Sequence, residues 1–226
     1  MPIQTSNIQL QVNGKTANTY LAMPQNGGHG ILVLHAWWGL KPFFKQVCDQ
    51  LAKQGFTALA PDLYQGQMAK TIDEAKALME QRDSELMGDI VKAAKEHLTS
   101  LCDGKPIAVI GFSMGAAWSL AIAENDPHVS AAVLFYGAGE ADFSSVKAKI
   151  LGHFAEVDEW EPMEYVRAME ADMKAAGADV TLHTYPKAGH WFVEEDRPEY
   201  DSASALLAWS RTYEFLRKNC NLEPPS

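Results

Sequence analysis

Short runs of consecutive apolar residues recur along this chain, each followed by a stretch with helical spacing. Nothing else in the sequence restricts its fold so sharply. "ILVL" at 31–34, "FTALAP" at 56–61 and "AVIGF" at 108–112 show no regular polar–apolar alternation. A strand of that kind has no face to give to water, so both faces must be covered. Helical segments lie between the runs. Pro42 opens one and Gly55 ends it, with Phe43, Val47 and Leu51 on one stripe. Residues 71–101, rich in Ala, Glu, Lys and Met, read as helical in one piece or two. "MGAAWSLAIAEN" follows the third run, and the alternation continues through "VSAAVLFYG", "KILGHFA", a helix over about 162–176 capped by Gly177, and "DVTLHTYP". A last helix covers about 200–217, with Leu206, Trp209, Tyr213 and Leu216 at helical spacing. Strands alternating with helices imply right-handed crossovers and a mostly parallel sheet. The opening "IQLQVNGKTANTYLAMP" differs: it alternates around Asn13-Gly14, a hairpin signal that places antiparallel strands at one edge. The expectation is a single α/β domain over residues 1–226, its central sheet flanked by helices.

Composition narrows the function. With 47% hydrophobic residues the chain can bury a large core, and its formal net charge of -10 repels phosphate backbones and anionic lipid heads. Nucleic acid and membrane surfaces are therefore not expected as partners. No apolar run is long enough to span a bilayer, and the first residues lack a basic stretch followed by an apolar core. Cys48, Cys102 and Cys220 are widely spaced and odd in number, which points to a reducing compartment and hence the cytoplasm.

The strand "AVIGF" ends in an unusual way. The stretch "VIGFSMGAA" sets Ser113 between Gly111 and Gly115, where an apolar strand meets an apolar helix. Ligands gather beyond the carboxyl ends of parallel strands. A tight strand-to-helix turn there brings backbones so close that only small residues fit beside it. Ser113 then stands at the tip, in the strained geometry of a nucleophile elbow.

A serine hydroxyl needs a base, and the base needs an orienting acid; in this fold they follow the serine in the order acid, then histidine. His190, in "YPKAGHWF", comes just after the last strand and is the expected base, whereas His128, His153 and His183 read as structural or exposed. The acid is expected after "ILGHFA". Among Glu156, Asp158 and Glu159 the choice is Asp158, two residues into the loop, with Asp142 a distant second. Two backbone N–H groups are expected to receive the oxyanion, those of Met114 and Trp37. Aromatic residues cluster near the strand ends, so a substrate pocket drawing on Trp38, Trp160 and Trp191 is expected; His35 reads first as a structural hydrogen bonder under its loop and second as a pocket residue. No metal-ligand spacing and no phosphate-binding glycine loop occur, so neither metal nor cofactor is expected.

These segments together resemble the dienelactone hydrolase family of α/β-hydrolases. "LVLHAWWGL" looks like that family's oxyanion loop, "GFTALAPDLYQGQ" its next strand and loop, and "GFSMGA" its elbow; "HFAEVDEWEP" looks like its acid loop and "YPKAGHWF" its histidine loop. The resemblance implies the α/β-hydrolase fold, hydrolytic activity without a cofactor, and roles for Ser113, Asp158 and His190. Family members that open dienelactones usually carry cysteine at the elbow, a glutamate after the oxyanion strand and arginines for the substrate carboxylate. Here Ser113, Ala36 and Glu194 occupy the first two positions and the arginine position after the histidine, with Arg82 and Arg197 as candidate replacements for the arginines. A neutral ester or thioester fits these departures better than a dienelactone.

The expected function is thus a serine hydrolase, monomer or homodimer, acting on a small ester, lactone or thioester. The alternatives are a ligand-binding or sensory protein with a slow or idle triad, and, more weakly, a peptidase. Residues 71–101 read as a crossover helix in preference to a lid.

Overall fold

A computed structural model of the protein describes residues 2–220. These residues form eight strands, mostly parallel, and six helices. The chain divides into two compact units, one ending at Ile107 and one beginning at Ala108. No helix among the described residues is long and apolar enough to cross a membrane.

The first unit opens with the hairpin. Strands β1 (Ile3–Val12) and β2 (Lys15–Pro24) pair antiparallel down to Val12 opposite Lys15. Asn13 (φ 48) and Gly14 (φ 75) make the turn, and both take the positive φ that a two-residue turn of the right twist requires. Strand β3 (His29–Leu34) and strand β4 (Phe56–Pro61) pair parallel, and β2 joins β4 antiparallel, giving the order β1-β2-β4-β3. Every residue of β4 is buried, as its unbroken apolar run requires. Helix α1 (Pro42–Lys53) buries the predicted stripe of Phe43, Val47 and Leu51, with Phe44, Cys48 and Ala52 beside it. Residues 71–101 make two helices, α2 (Ile72–Glu80) and α3 (Ser84–Leu101), each opened by a side chain that accepts an N–H of the first turn: Thr71 from Glu74 and Asp83 from Leu86. Helix α3 packs on β1, β3 and β4 and buries six side chains, so it is the crossover helix; α2 buries Ala75 alone.

The second unit carries strands β5 (Ile107–Phe112), β6 (Val129–Phe135), β7 (Lys149–Val157) and β8 (Val180–Gly189), in that order, with β6, β7 and β8 parallel. The register sets Phe135 beside His153 and His153 beside His183. Helices α4 (Met114–Asn125), α5 (Met163–Ala175) and α6 (Ser202–Asn219) complete it. The expected apolar stripe of α6 needs correction. Leu206 is 76% exposed, and the inward face is Ala205, Ala208, Thr212 and Leu216. Small side chains let this helix approach β6 and β7 closely, while Trp209 reaches sideways to the Phe135 ring at 5.0 Å.

Candidate active site

Strand β5 is fully buried and ends at Phe112; helix α4 begins at Met114. Ser113 alone makes the turn, at φ 50 and ψ -113, a conformation that costs a non-glycine residue of order 1–3 kcal/mol. Neighbours hold it there. The Ser113 N–H donates to Phe135 O at 2.9 Å, and its carbonyl accepts from Ala116 N–H at 2.8 Å. A Cβ at Gly111 would strike the Gly115 carbonyl and the Ser119 hydroxyl, so the expected need for glycine is met there. A second glycine matters as much. A Cβ at Gly137, just beyond β6, would strike the Ser113 carbonyl. Sequence reasoning does not single out Gly137; its visible signal is a glycine two residues past the end of a buried strand.

Strand β8 delivers His190 immediately after Gly189, and β7 delivers Asp158 immediately after Val157, one residue earlier in its loop than expected. His190 Nδ1 lies 2.7 Å from Asp158 Oδ2, and its Nε2 lies 3.1 Å from Ser113 Oγ. Because the carboxylate only accepts, Nδ1 carries the proton, and the Nε2 lone pair is left to accept from the serine hydroxyl. Both side chains are shielded from water, at 4% and 1% exposure. The second carboxylate oxygen, Oδ1, accepts the N–H groups of Trp160 and Glu161, each at 2.9 Å, so Asp158 is held from two sides. The structure therefore brings Ser113, Asp158 and His190 together. Asp142 is elsewhere, exposed and bonded to Ser144 and Ser145, and Glu156 accepts from the Lys187 N–H. Of the remaining histidines, His128 is exposed on Asp126 and His153 is buried between Tyr185 and Thr212.

The pocket residues divide. His35 is fully buried, its Nδ1 2.7 Å from Ala36 O and its Nε2 accepting from Leu63 N–H at 3.1 Å. Both ring nitrogens are used, and burial pulls its pKa down and keeps it neutral. Of its two readings the structural one fits: His35 is a strut that ties its loop to the one after β4. Trp38 is also interior, at 1% exposure with Lys41 Nζ 5.7 Å above its ring. Trp191 is buried too, between the His190 ring at 4.8 Å, the Trp160 ring at 5.8 Å and the Arg197 guanidinium at 4.6 Å. Trp191 packs against His190, and Trp38 packs within the first unit; both are shielded from water. Trp160 is half-buried. Met114 is the first residue of α4, and Trp37 lies in the loop after β3, within the first unit. The Arg197 guanidinium is engaged with Trp191 and Glu199, and Arg82 bonds Met79 O.

A cleft of about 680 Å³ opens beside the acid loop. Phe143, Ala168 and Met169 give it an apolar floor, and Glu140, Glu161 and Asp172 line it with carboxyl groups. Glu161 joins it to the site: its N–H donates to Asp158, and its Oε2 accepts from Ala138 N–H at 2.8 Å. Burial raises the Glu161 pKa.

Parallel strands, crossover helices and a strained serine at a strand-to-helix junction define the α/β-hydrolase class. Comparison with known proteins narrows it. The model of the dienelactone hydrolase family matches residues 17–220, and the chain belongs to that family and is a hydrolase of the α/β type. Protein usf of Aquifex pyrophilus is 33% identical over 224 residues, covering 93% of this chain and 97% of that one. A protein of Aquifex aeolicus named "Putative carboxymethylenebutenolidase" is 30% identical over 223 residues, covering 93% and 96%. Among solved structures, a dienelactone hydrolase-like promiscuous phosphotriesterase from metagenomic libraries shares the fold at a TM-score of 0.86 and 19% identity, covering 97% of this chain and 99% of that one.

Proposed function

We propose that the protein is a serine hydrolase that cleaves small carboxylic esters, lactones or thioesters through an acyl-enzyme. One observation carries the reading: the unbroken series from Asp158 Oδ2 through His190 to Ser113 Oγ, at 2.7 and 3.1 Å. Ser113 Oγ attacks the carbonyl carbon while its proton passes to His190 Nε2. Asp158 stabilises the imidazolium that forms. The proton then goes to the leaving oxygen or sulfur as the carbon–heteroatom bond breaks. Water enters, gives its proton to His190 and attacks the acyl carbon; release of Ser113 returns the starting state and frees the acid. The N–H group of Met114, at the start of α4, receives the oxyanion in both tetrahedral states, and such a donor is worth on the order of 3 kcal/mol.

Neutral substrates are favoured over anionic ones. Glu194 stands where dienelactone-opening relatives place an arginine, Arg197 is engaged elsewhere, and the cleft beside Asp158 is lined with carboxyl groups. Lactones stay in the class because the Aquifex aeolicus relative is named for a butenolide. We further place the protein in the cytoplasm, as a monomer or homodimer without a nucleic-acid partner; its three buried free thiols and net charge of -10 support this.

The test is covalent labelling with a fluorophosphonate, read by intact mass, beside turnover of p-nitrophenyl acetate. One equivalent is expected on Ser113, none in Ser113→Ala, with turnover of that variant down about 10⁴- to 10⁶-fold. Retention of most activity in Ser113→Ala overturns the nucleophile. An unsubstituted protein that neither labels nor turns over esters is a binding protein instead.

A further inference from the structure

A hydrogen bond between side chains on two different loops keeps its length only if the loops keep theirs. Ser113 and His190 stand 77 positions apart. One residue joins their supports. Tyr136, the first residue after β6, is fully buried and takes φ 37, again a rare backbone conformation for a residue with a side chain. Its chain neighbours brace the elbow: Phe135 O accepts the Ser113 N–H, and Gly137 lies against the Ser113 carbonyl. Its side chain reaches the histidine loop. The ring stands 5.0 Å from the His190 ring and 5.8 Å from that of Phe192, and the hydroxyl donates to Glu194 Oε1 at 2.8 Å.

Glu194 closes that loop from the other end. Its N–H donates to Trp191 O at 2.8 Å, its carbonyl accepts from Arg197 N–H at 2.9 Å, and Trp191 between takes φ 62. The Glu194 side chain is fully buried. Burying a carboxyl group is unfavourable, and an apolar side chain would fill the same space with less penalty. What the carboxyl group adds is direction: a short hydrogen bond of fixed geometry between the segment that carries the nucleophile's support and the segment that carries the base.

We propose that Tyr136 and Glu194 are positioning residues that hold His190 Nε2 at bonding distance from Ser113 Oγ. This rests on the hydrolase reading above. Tyr136→Phe deletes the hydroxyl and keeps the ring; Glu194→Gln keeps an acceptor for it; Glu194→Leu removes it. The readouts are kcat and KM for p-nitrophenyl acetate, the rate of fluorophosphonate labelling at Ser113, and thermal unfolding. Tyr136→Phe and Glu194→Leu are expected to lower kcat and labelling rate on the order of 10- to 100-fold, as small misplacements of reacting groups do, with KM changed less than about 2-fold. Glu194→Gln is expected to retain most of both. If Tyr136→Phe lowers the unfolding temperature but leaves kcat and labelling per folded molecule unchanged, the inference falls and the hydrolase reading stands. If Tyr136→Phe does not fold, the contrast between Glu194→Leu and Glu194→Gln decides, and equal labelling in those two overturns the inference. Absence of labelling in the unsubstituted protein overturns both.

Discussion

Two buried imidazoles in the second unit are built alike and do different things. His190 lies between Asp158 and Ser113 at 2.7 and 3.1 Å; His153 lies between Tyr185 and Thr212 at 2.8 and 3.0 Å. Each ring thus spans two oxygen partners. The difference is the direction of the protons. Arg211 can only donate, and it donates to the Tyr185 oxygen at 3.1 Å. The buried Tyr185 hydroxyl proton then has His153 Nδ1 as its acceptor, and with Nδ1 accepting, the assigned tautomer puts the proton on Nε2, which donates to the Thr212 hydroxyl. His190 is the reverse, with its proton on Nδ1 against a carboxylate and a lone pair facing Ser113. No lone pair of His153 faces Thr212, so that ring cannot take the hydroxyl proton. Burial also holds His153 neutral, its pKa pushed well below the ordinary histidine value, with His183 and Arg211 adding to the effect. An imidazole becomes a base for a hydroxyl when an acceptor-only group stands behind it; burial and a nearby hydroxyl do not suffice.

The sharpest way to break the contrast is to turn His190 into a second His153. Asp158→Asn presents an amide N–H to Nδ1 and favours the opposite tautomer, and kcat for p-nitrophenyl acetate is expected to fall about 10⁴-fold with little change in unfolding temperature. A loss below about 10-fold means that the tautomer argument is wrong. Thr212→Val tests the other trio. Activity per folded molecule is expected to hold, while urea denaturation shows a loss of about 1–3 kcal/mol because a buried Nε2–H loses its acceptor; a fall in kcat instead would make His153 part of the reaction. The smallest effect is that of pH on stability. The folded-state pKa of His153 lies below its unfolded value near 6.5, so the unfolded chain takes up the proton first. Stability is complete above about pH 6.5 and falls as the pH drops toward the folded pKa, by at most about 1.4 kcal/mol per pH unit from this group. Burial lowers the pKa of His35 in the same sense, so His153→Gln is expected to reduce the slope without abolishing it. Urea midpoints measured between about pH 7.5 and 5 check this, and an unchanged slope would show that His153 takes up its proton alike in both states.

Much of this was legible in the residues themselves. Asn13-Gly14 announced its hairpin because few residue pairs take positive φ at both positions. The fully apolar runs announced covered strands, and Ser113, Asp158 and His190 were readable because this fold places them at strand ends in a set order. Where the reading failed, the deciding partner was remote. Leu206 has the spacing of a core residue, but α6 meets the sheet along Ala205, Ala208 and Thr212, and nothing within the helix shows how closely the sheet approaches. His35 reads as a hydrogen bonder under its loop, but its partner is hidden from the sequence: the Leu63 N–H that occupies its Nε2 comes from another loop. Glu194 stands out in the sequence only by occupying an arginine position, and neither its bond to Tyr136 nor the place of Gly137 shows until β6 and the histidine loop are seen against the elbow.

The sequence by itself determined what short-range chemistry controls: which turns tolerate positive φ, which strands need cover on both faces, and the order in which Ser113, Asp158 and His190 follow one another at strand ends. Tertiary structure alone decided which nitrogen of each buried imidazole carries the proton. A ring's tautomer depends on the oxygens brought to its two nitrogens, and for His190 those arrive from 32 and 77 positions away.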